Sequence, residues 1–149
     1  LGIDKHFSWI PIKNLHITLV FLGWTDDDLI AKTSEILDLI KRKPLLLKII
    51  KLDYSPDKRM LWLYFDKNKG LIDLQKNITA ILKKNKIPFN KEKRNYLPHI
   101  NLLRIKNKMD NKKIPKILNR EIRVESINLY ESKSDKFGVN YDILKSKRL

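Results

Sequence analysis

The sequence predicts an α+β fold built from two similar β/α lobes. Two segments of alternating polar and apolar residues, Asn14–Gly23 and Tyr96–Arg104, each carry a histidine and lie about half a chain apart. Such alternation is typical of strands with one buried face. Each segment precedes a helical pattern and then a predicted strand hairpin. We therefore predict a bilobal domain of pseudo-two-fold-related lobes, with antiparallel sheets lining a central cleft.

The predicted domain spans residues 1–149, and its lobes exchange strands, with approximate halves 14–84 and 96–149. The first histidine strand runs from about Leu15 to Leu22. Thr25, with an acidic Asp28 three residues later, predicts a helix N-cap. Apolar residues then recur at helical spacing until the basic run 41–43 and Pro44 end the helix. Two further strands joined by a turn are predicted at Leu45–Tyr54 and Met60–Phe65.

The remaining elements follow from the same kinds of pattern. In chain order they are a helix over Leu71–Leu82 with a basic end, a basic loop over Asn85–Tyr96, the second histidine strand, a short helix over Asp110–Leu118, a strand over Glu121–Tyr130, a turn over Ser132–Gly138 and a closing strand over Val139–Leu144.

Composition narrows the function classes. The formal net charge of +15 favours contact with nucleic acid, because a positive field attracts phosphates; lysines that only solubilise the surface are the open alternative. No apolar run approaches the roughly 20 residues of a membrane span, and no signal-peptide pattern is present. The chain has no cysteine, which excludes disulfides and thiol nucleophiles and fits a reducing compartment. We expect a cytoplasmic monomer that does not bind membranes.

The two histidine segments predict one active site. Side chains two apart on a strand share a face, so His16 lies beside Thr18 and His99 beside Asn101. Two imidazoles across a cleft can serve as general acid and general base, because histidine titrates near neutral pH. The Thr18 hydroxyl and the Asn101 amide can donate hydrogen bonds to phosphate oxygens. His6 lacks such neighbours and is predicted to be non-functional.

No metal or other cofactor is expected, since zinc usually needs at least three protein ligands and the pattern supplies two. A single His-x-Thr arises by chance often, and a histidine on a strand is more often structural. Two copies in the same register, backed by the same apolar pattern, favour the catalytic interpretation. A structural β-rich domain with accidental histidines remains the alternative.

These segments resemble the 2H phosphoesterase superfamily, and most of all its RNA 2′,3′-cyclic phosphodiesterase family, also called 2′-5′ RNA ligase. Asn14–Gly23 is similar to the first family motif, as is the preceding Trp9–Pro11. Pro98–Arg104 is similar to the second motif. Met60–Leu63 and the closing Gly138–Leu144 extend the likeness over almost the whole chain.

The resemblance implies hydrolysis of a 2′,3′-cyclic phosphate on RNA or a nucleotide, leaving a 2′-phosphate. It implies that His99 is the base and His16 the acid, while the pseudo-symmetry makes them nearly interchangeable. Possible substrate contacts are Arg94, Tyr96 and Arg104, for which surface or packing roles are equally open. Trp62 is expected to belong to the core.

Two departures from the family pattern matter. Asn101 stands where the family has Thr or Ser, which supports a rival hypothesis of a non-catalytic RNA- or nucleotide-binding module. The family has a strand and a helix before the first motif, and this chain opens on Leu1, so we expect that residues precede it. A further alternative is 2′-5′ RNA ligation, which microscopic reversibility would assign to the same two histidines.

Overall fold

A computed structural model describes residues 7–91, 95–105, 118–135 and 138–149. The chain forms two compact units, each assembled from separate segments. The first unit contains the described parts of Leu1–Thr18, Leu47–Lys67 and Leu97–Ile122, and the second contains those of Leu19–Leu46, Asn68–Tyr96 and Arg123–Leu149. The prediction of halves 14–84 and 96–149 stays a prediction.

The first unit is organised around a sheet in the order β1-β4-β3-β2-β5. Antiparallel pairing joins β1 to β4, β4 to β3 and β3 to β2. β4 and β3 are therefore each paired with a strand on both sides, which holds them firmly in the sheet. The strands are β1 (Phe7–Trp9), β2 (Leu45–Tyr54), β3 (Met60–Phe65), β4 (His99–Ile105) and β5 (Arg120–Val124).

The β2–β3 hairpin has the bounds that the sequence predicts. Its turn is closed by Ser55, whose backbone N–H donates to the Met60 carbonyl at 2.9 Å and whose Oγ accepts from the Met60 N–H at 2.9 Å. Asp57 accepts from the Ser55 hydroxyl at 2.6 Å and from the Arg59 N–H at 3.1 Å. Lys58 takes a positive φ of 57°, which completes the reversal. The turn residues thus fix the register of β3 before it meets β4.

The second unit packs two helices and a strand hairpin around an apolar cluster. Its elements are α1 (Asp27–Leu39), α2 (Lys69–Lys84), β6 (Ser126–Asp135) and β7 (Gly138–Arg148). The cluster takes buried residues from both helices and from β6, including Leu37, Leu82 and Leu129. An antiparallel ladder joins β6 to β7. The helices follow from their apolar stripes, and burial of those stripes drives the packing.

The helix ends differ in part from the predicted ones. The N-cap of α1 is Asp26, not Thr25, because the Asp26 carboxylate accepts from the Leu29 N–H at 2.9 Å. The Thr25 hydroxyl instead donates to the Gly23 carbonyl at 3.1 Å, and Gly23 adopts a positive φ of 82° that favours glycine. α1 ends at Leu39, before the basic run expected to close it. Asn68 caps α2 through the Leu71 N–H at 3.0 Å.

Two predicted strands and one predicted turn are also corrected. The first histidine segment is not a strand over 15–22: a 3-10 turn at Ile12–Asn14 precedes it, and Ile17 alone forms a bridge. The strand predicted over 121–130 is split into β5 and β6 at Glu125. The turn predicted over 132–138 is wrong at both ends, because β6 continues to Asp135 and β7 begins at Gly138. The predicted short helix over 110–118 lies almost wholly outside the described residues.

Within the described residues, no helix is long and apolar enough to cross a membrane.

Candidate active site

The sheet of the first unit presents one polar and aromatic face around β4. On β4, His99 and Asn101 share this face because they are two residues apart. The register of β3 sets Tyr64 directly opposite His99 and Trp62 directly opposite Asn101. All four side chains therefore project from the same side of two adjacent strands.

The first histidine segment lies along the other edge of β4. β1 pairs with the far end of β4, the 3-10 turn interrupts the pairing, and Ile17 then bridges Ile100 in antiparallel register. Continuing this register by one residue each way sets His16 opposite Asn101 and Thr18 opposite His99. Directly opposite Cβ atoms lie about 4.5–5.5 Å apart and diagonal ones about 7–8 Å. In that register the two imidazoles would be diagonal neighbours, a spacing that suits a phosphate held between them.

Both imidazoles are oriented by the same local hydrogen bond. His16 Nδ1 lies 2.7 Å from the Asn14 carbonyl oxygen, and His99 Nδ1 lies 2.8 Å from the Leu97 carbonyl oxygen. A carbonyl only accepts, so Nδ1–H is the donor in each case, which assigns the tautomer. In both residues Nε2 is then the ring nitrogen without a proton in the neutral form, which suits it to proton exchange with a substrate.

Thr18 and Asn101, the polar residues two positions after each histidine, differ in burial. Thr18 is exposed, whereas Asn101 is half-buried. The Asn101 Oδ1 atom is buried and has no hydrogen-bond partner within the part of the chain that the structure describes. This amide is therefore not used to hold β4 to its neighbours. Its donor group and the Thr18 hydroxyl can both serve a bound anion.

Trp62 is buried, at 7% exposure, as the sequence predicts, but it also contacts the site. Its ring is stacked on the His99 imidazole, with centroids 3.6 Å apart and an interplanar angle of 16°. Sequence analysis missed this role, because it depends on the pairing of β3 with β4. The signal that could have found it is alternation: Trp62 and Tyr64 are the aromatic residues of one face of β3.

Arg104 joins the face of the histidines through a bulge. Simple alternation would set it on the opposite face from His99 and Asn101. The β3–β4 register shifts between Leu61 and Trp62, which makes Leu102 the extra residue. Arg104, opposite Met60, therefore shares the site face and is exposed.

The other two sequence-predicted contacts, Tyr96 and Arg94, stay predictions. Tyr96 belongs to the second unit and is half-buried. Arg94 and His6 lie outside the described residues. No cluster of three or more His, Cys, Asp or Glu side chains suited to a metal ion occurs in the described part of the chain.

Beyond Trp62 and Tyr64, the same face continues onto β2. Asp53 pairs with Trp62 and Lys51 with Tyr64 in the β2–β3 register. The Lys51 ammonium lies 3.0 Å from the Asp53 carboxylate and 4.6 Å from the centre of the Tyr64 ring. This pair is partly exposed, so it adds a screened, nearly neutral charge beside the aromatic residues.

Two imidazoles on neighbouring antiparallel segments, each oriented through Nδ1 and accompanied by a polar residue two positions on, form an arrangement suited to acid–base chemistry at one phosphorus atom. In an α+β fold, this is the arrangement expected of the two-histidine class of phosphoesterases.

Comparison with known proteins identifies the family within that class. The chain is 31% identical over 155 residues to an RNA 2′,3′-cyclic phosphodiesterase of Methanocaldococcus jannaschii, covering 95% of this chain and 84% of that protein. It is 30% identical over 125 residues to an RNA 2′,3′-cyclic phosphodiesterase of Aquifex aeolicus, covering 79% of this chain and 65% of that protein. The chain belongs to the RNA 2′,3′-cyclic phosphodiesterase (LigT) family of the 2H phosphoesterases.

Solved structures agree on the fold. A crystal structure of a phosphoesterase superimposes with a TM-score of 0.80 at 24% identity, over 97% of this chain and 82% of that one. Escherichia coli LigT, crystallised with 3′-AMP, superimposes with a TM-score of 0.79 at 24% identity, with the same coverage. No protein-family model matches the chain.

Proposed function

We propose that this chain hydrolyses 2′,3′-cyclic phosphate ends of RNA to 2′-phosphates by two-histidine general acid–base catalysis. The antiparallel bridge between Ile17 and Ile100 is the observation that supports the proposal most. Extending its register by one residue each way would make His16 and His99 diagonal neighbours on one face, which is the relation that a base and an acid need on either side of one phosphorus. Family membership supports the substrate class.

In the proposed reaction, Nε2 of one histidine takes a proton from water as the water oxygen attacks phosphorus. The bond from phosphorus to the 3′ oxygen breaks on the opposite side, and the other imidazole donates its Nε2 proton to that oxygen. The products are a 2′-phosphate and a free 3′ hydroxyl. Proton exchange with water then restores both imidazoles. Following the family resemblance, His99 is the base and His16 the acid.

Thr18 and Asn101 are proposed to donate hydrogen bonds to the two non-bridging oxygens, on which negative charge grows in the transition state. Arg104 on the same face would add positive charge near the phosphate, and Arg94 and Tyr96 remain proposed substrate contacts. The reaction as proposed needs no metal. The net charge of +15 would raise the encounter rate with RNA and make binding weaken with salt. We further propose that the chain acts as a cytoplasmic monomer.

The test is product analysis in the presence of EDTA. The chain is incubated with a 2′,3′-cyclic nucleotide and with an RNA oligonucleotide ending in the cyclic phosphate, and phosphorus NMR distinguishes 2′- from 3′-phosphate. The double variant His16→Ala/His99→Ala serves as the blank. We expect a 2′-phosphate that forms at the same rate with and without EDTA, and a bell-shaped pH dependence.

Other outcomes would contradict parts of the proposal. Turnover that stops in EDTA would contradict the metal-free mechanism, and a 3′-phosphate would contradict the direction of ring opening. Salt-sensitive RNA binding without any product would favour the binding-module hypothesis. Adding RNA with a 5′ hydroxyl tests the reverse reaction, since a longer product with a 2′-5′ link would then accumulate.

A further inference from the structure

The contact between Trp62 and His99 is the closest ring stacking described in the chain. The ring centroids lie 3.6 Å apart and the planes are inclined by 16°. Trp62 is held in place because β3 pairs with both β2 and β4, and only 7% of the residue is exposed. The indole is therefore a rigid surface on which the imidazole lies flat.

Two contacts together fix the orientation of His99. The indole sets the plane of the ring, and the bond from Nδ1–H to the Leu97 carbonyl oxygen at 2.8 Å sets its rotation within that plane. Once both are set, the direction in which Nε2 points is determined. Such orientation matters in catalysis, because small displacements of a proton-transferring group reduce rates strongly.

The indole N–H indicates that the face of Trp62, rather than its edge, is what the site uses. The Nε1 atom is buried and has no hydrogen-bond partner among the described residues. Buried tryptophans usually satisfy this donor. A phenylalanine at this position would avoid the cost of burying an N–H without a hydrogen bond. The stacking of the indole face on the His99 imidazole gives a reason for a tryptophan at this position despite that cost.

Stacking on an indole also affects the charge of His99. The negative face of the ring attracts a cation, and tryptophan is the strongest of the aromatic residues in this respect. Other polar or charged groups that the described residues direct toward this part of the face are Tyr64 and the Lys51–Asp53 pair from β3 and β2, Thr18 and His16 from the first histidine segment, and Asn101 and Arg104 from β4 itself.

We propose that Trp62 is a positioning residue of the active site, which holds the His99 imidazole flat and favours its protonated form through stacking. The proposal rests on the proposed function only for its kinetic consequence. The stacking itself can be tested without turnover.

The first experiment is an NMR titration of the histidine ring protons, assigned with His16→Ala and His99→Ala. In Trp62→Leu, the ring-current shift of the His99 protons disappears, and the midpoint of the His99 titration moves down by about half to one pH unit. Trp62→Phe keeps an aromatic face and gives a smaller shift of the midpoint. The His16 signal is the internal control. An unchanged His99 midpoint and unchanged ring-proton shifts in Trp62→Leu would overturn the proposal.

The second experiment measures kinetics on a 2′,3′-cyclic nucleotide. Trp62→Leu is expected to lower kcat about ten- to a hundredfold with a change in KM of less than about threefold, and Trp62→Phe to recover most of the loss. The limb of the pH–rate profile that reports His99 moves to lower pH, and the limb that moves identifies whether His99 acts as acid or as base. A fall in kcat with both limbs unchanged would overturn the proposed charge effect.

Phe65 supplies the matched control. It is a buried aromatic residue of the same strand, 3% exposed, on the face opposite to Trp62. Phe65→Leu removes a comparable ring from the core, and it is expected to leave the His99 signals and both limbs unchanged. If the wild-type chain shows no turnover but the NMR shifts occur as described, the proposed function fails while the positioning role stands.

Discussion

The segment around His16 and the strand around His99 carry similar polar residues, but they differ in how extensively they pair within the sheet. His99 begins a seven-residue strand that pairs with β3 along its length. His16 follows a 3-10 turn, and its segment is attached to the sheet by the single bridge at Ile17. Nevertheless, each Nδ1 is bonded to the carbonyl two residues before it, at 2.7 and 2.8 Å.

This difference shows that regular strand geometry is not what orients the imidazoles. What the two histidines share is a local hydrogen bond from Nδ1–H to the carbonyl two residues earlier. An extended backbone can form this bond whether or not the segment pairs along its whole length with a neighbouring strand. The sheet contributes proximity, because β4 is the neighbour of both the first segment and β3. The stack on Trp62 is then a further support for His99, supplied by β3.

The largest expected effect is removal of either imidazole. If both segments supply one proton-transfer group each, His16→Ala and His99→Ala should each lower kcat for a 2′,3′-cyclic nucleotide about 10²- to 10⁴-fold. The double variant should fall little further, because groups that act as a unit are not additive. His6→Ala is the control and should retain full activity. Near-normal turnover in one single variant would show that the two segments are not functionally equivalent.

The second effect concerns the residue two positions after each histidine. Thr18→Val and Asn101→Leu each remove a donor that we propose binds the phosphate, and each should lower kcat about 10²-fold. Asn101→Thr makes the second segment match the first and should stay within about tenfold of the wild type, since hydroxyl and amide both donate. A loss in Asn101→Thr as large as that in Asn101→Leu would show that the amide does something a hydroxyl cannot.

Much of the fold around these segments could be predicted from sequence, where local signals agree. The bounds of β2 and β3 follow from two largely apolar runs on either side of the turn residues Ser55 and Pro56, and both strands have the predicted ends. The pairing of each histidine with its polar neighbour follows from a period of two. These features depend on residues close in the chain.

Features that depend on tertiary partners could not be predicted. Thr25 and Asp26 are both good N-caps, and only the position of the first helical turn selects Asp26. The bulge at Leu102, which turns Arg104 toward the histidines, arises from the ladder with β3. Trp62 is recognised as a core residue from its strand, but its stack on His99 requires β3 and β4 to be neighbours across a long separation in sequence.

The third effect is on stability, and it tests directly whether the first histidine segment is held less firmly in the sheet than β4. Leu103 of β4 is 6% exposed and lies opposite the buried Leu61, so Leu103→Ala should lower the free energy of unfolding by about 2–4 kcal/mol. Ile17 is half-buried, and Ile17→Ala should cost about 1 kcal/mol. Urea denaturation measures both. Equal losses would mean that the first segment is supported as firmly as β4.

The smallest effect is a pH dependence in the β2–β3 turn, which fixes the strand that carries Trp62. The hydrogen bond from the Ser55 hydroxyl, followed by that from the Arg59 N–H, lowers the pKa of Asp57 below its usual value of 3.8. A lowered pKa means that the ionised carboxylate stabilises the fold above about pH 4, and that this contribution is lost as the pH falls through the folded-state pKa.

Thermal melts should therefore show a higher melting temperature for the wild type than for Asp57→Asn at pH 7 and 5, and this gap in melting temperature should close below pH 4. Because Asp57 is fully exposed, the gap should be slight, and Glu35→Gln in α1 is the matched control for loss of one exposed carboxylate. A gap that widened on acidification would contradict the bonds assigned to this turn, and with them the way β3 is held in register for its contact with the second histidine.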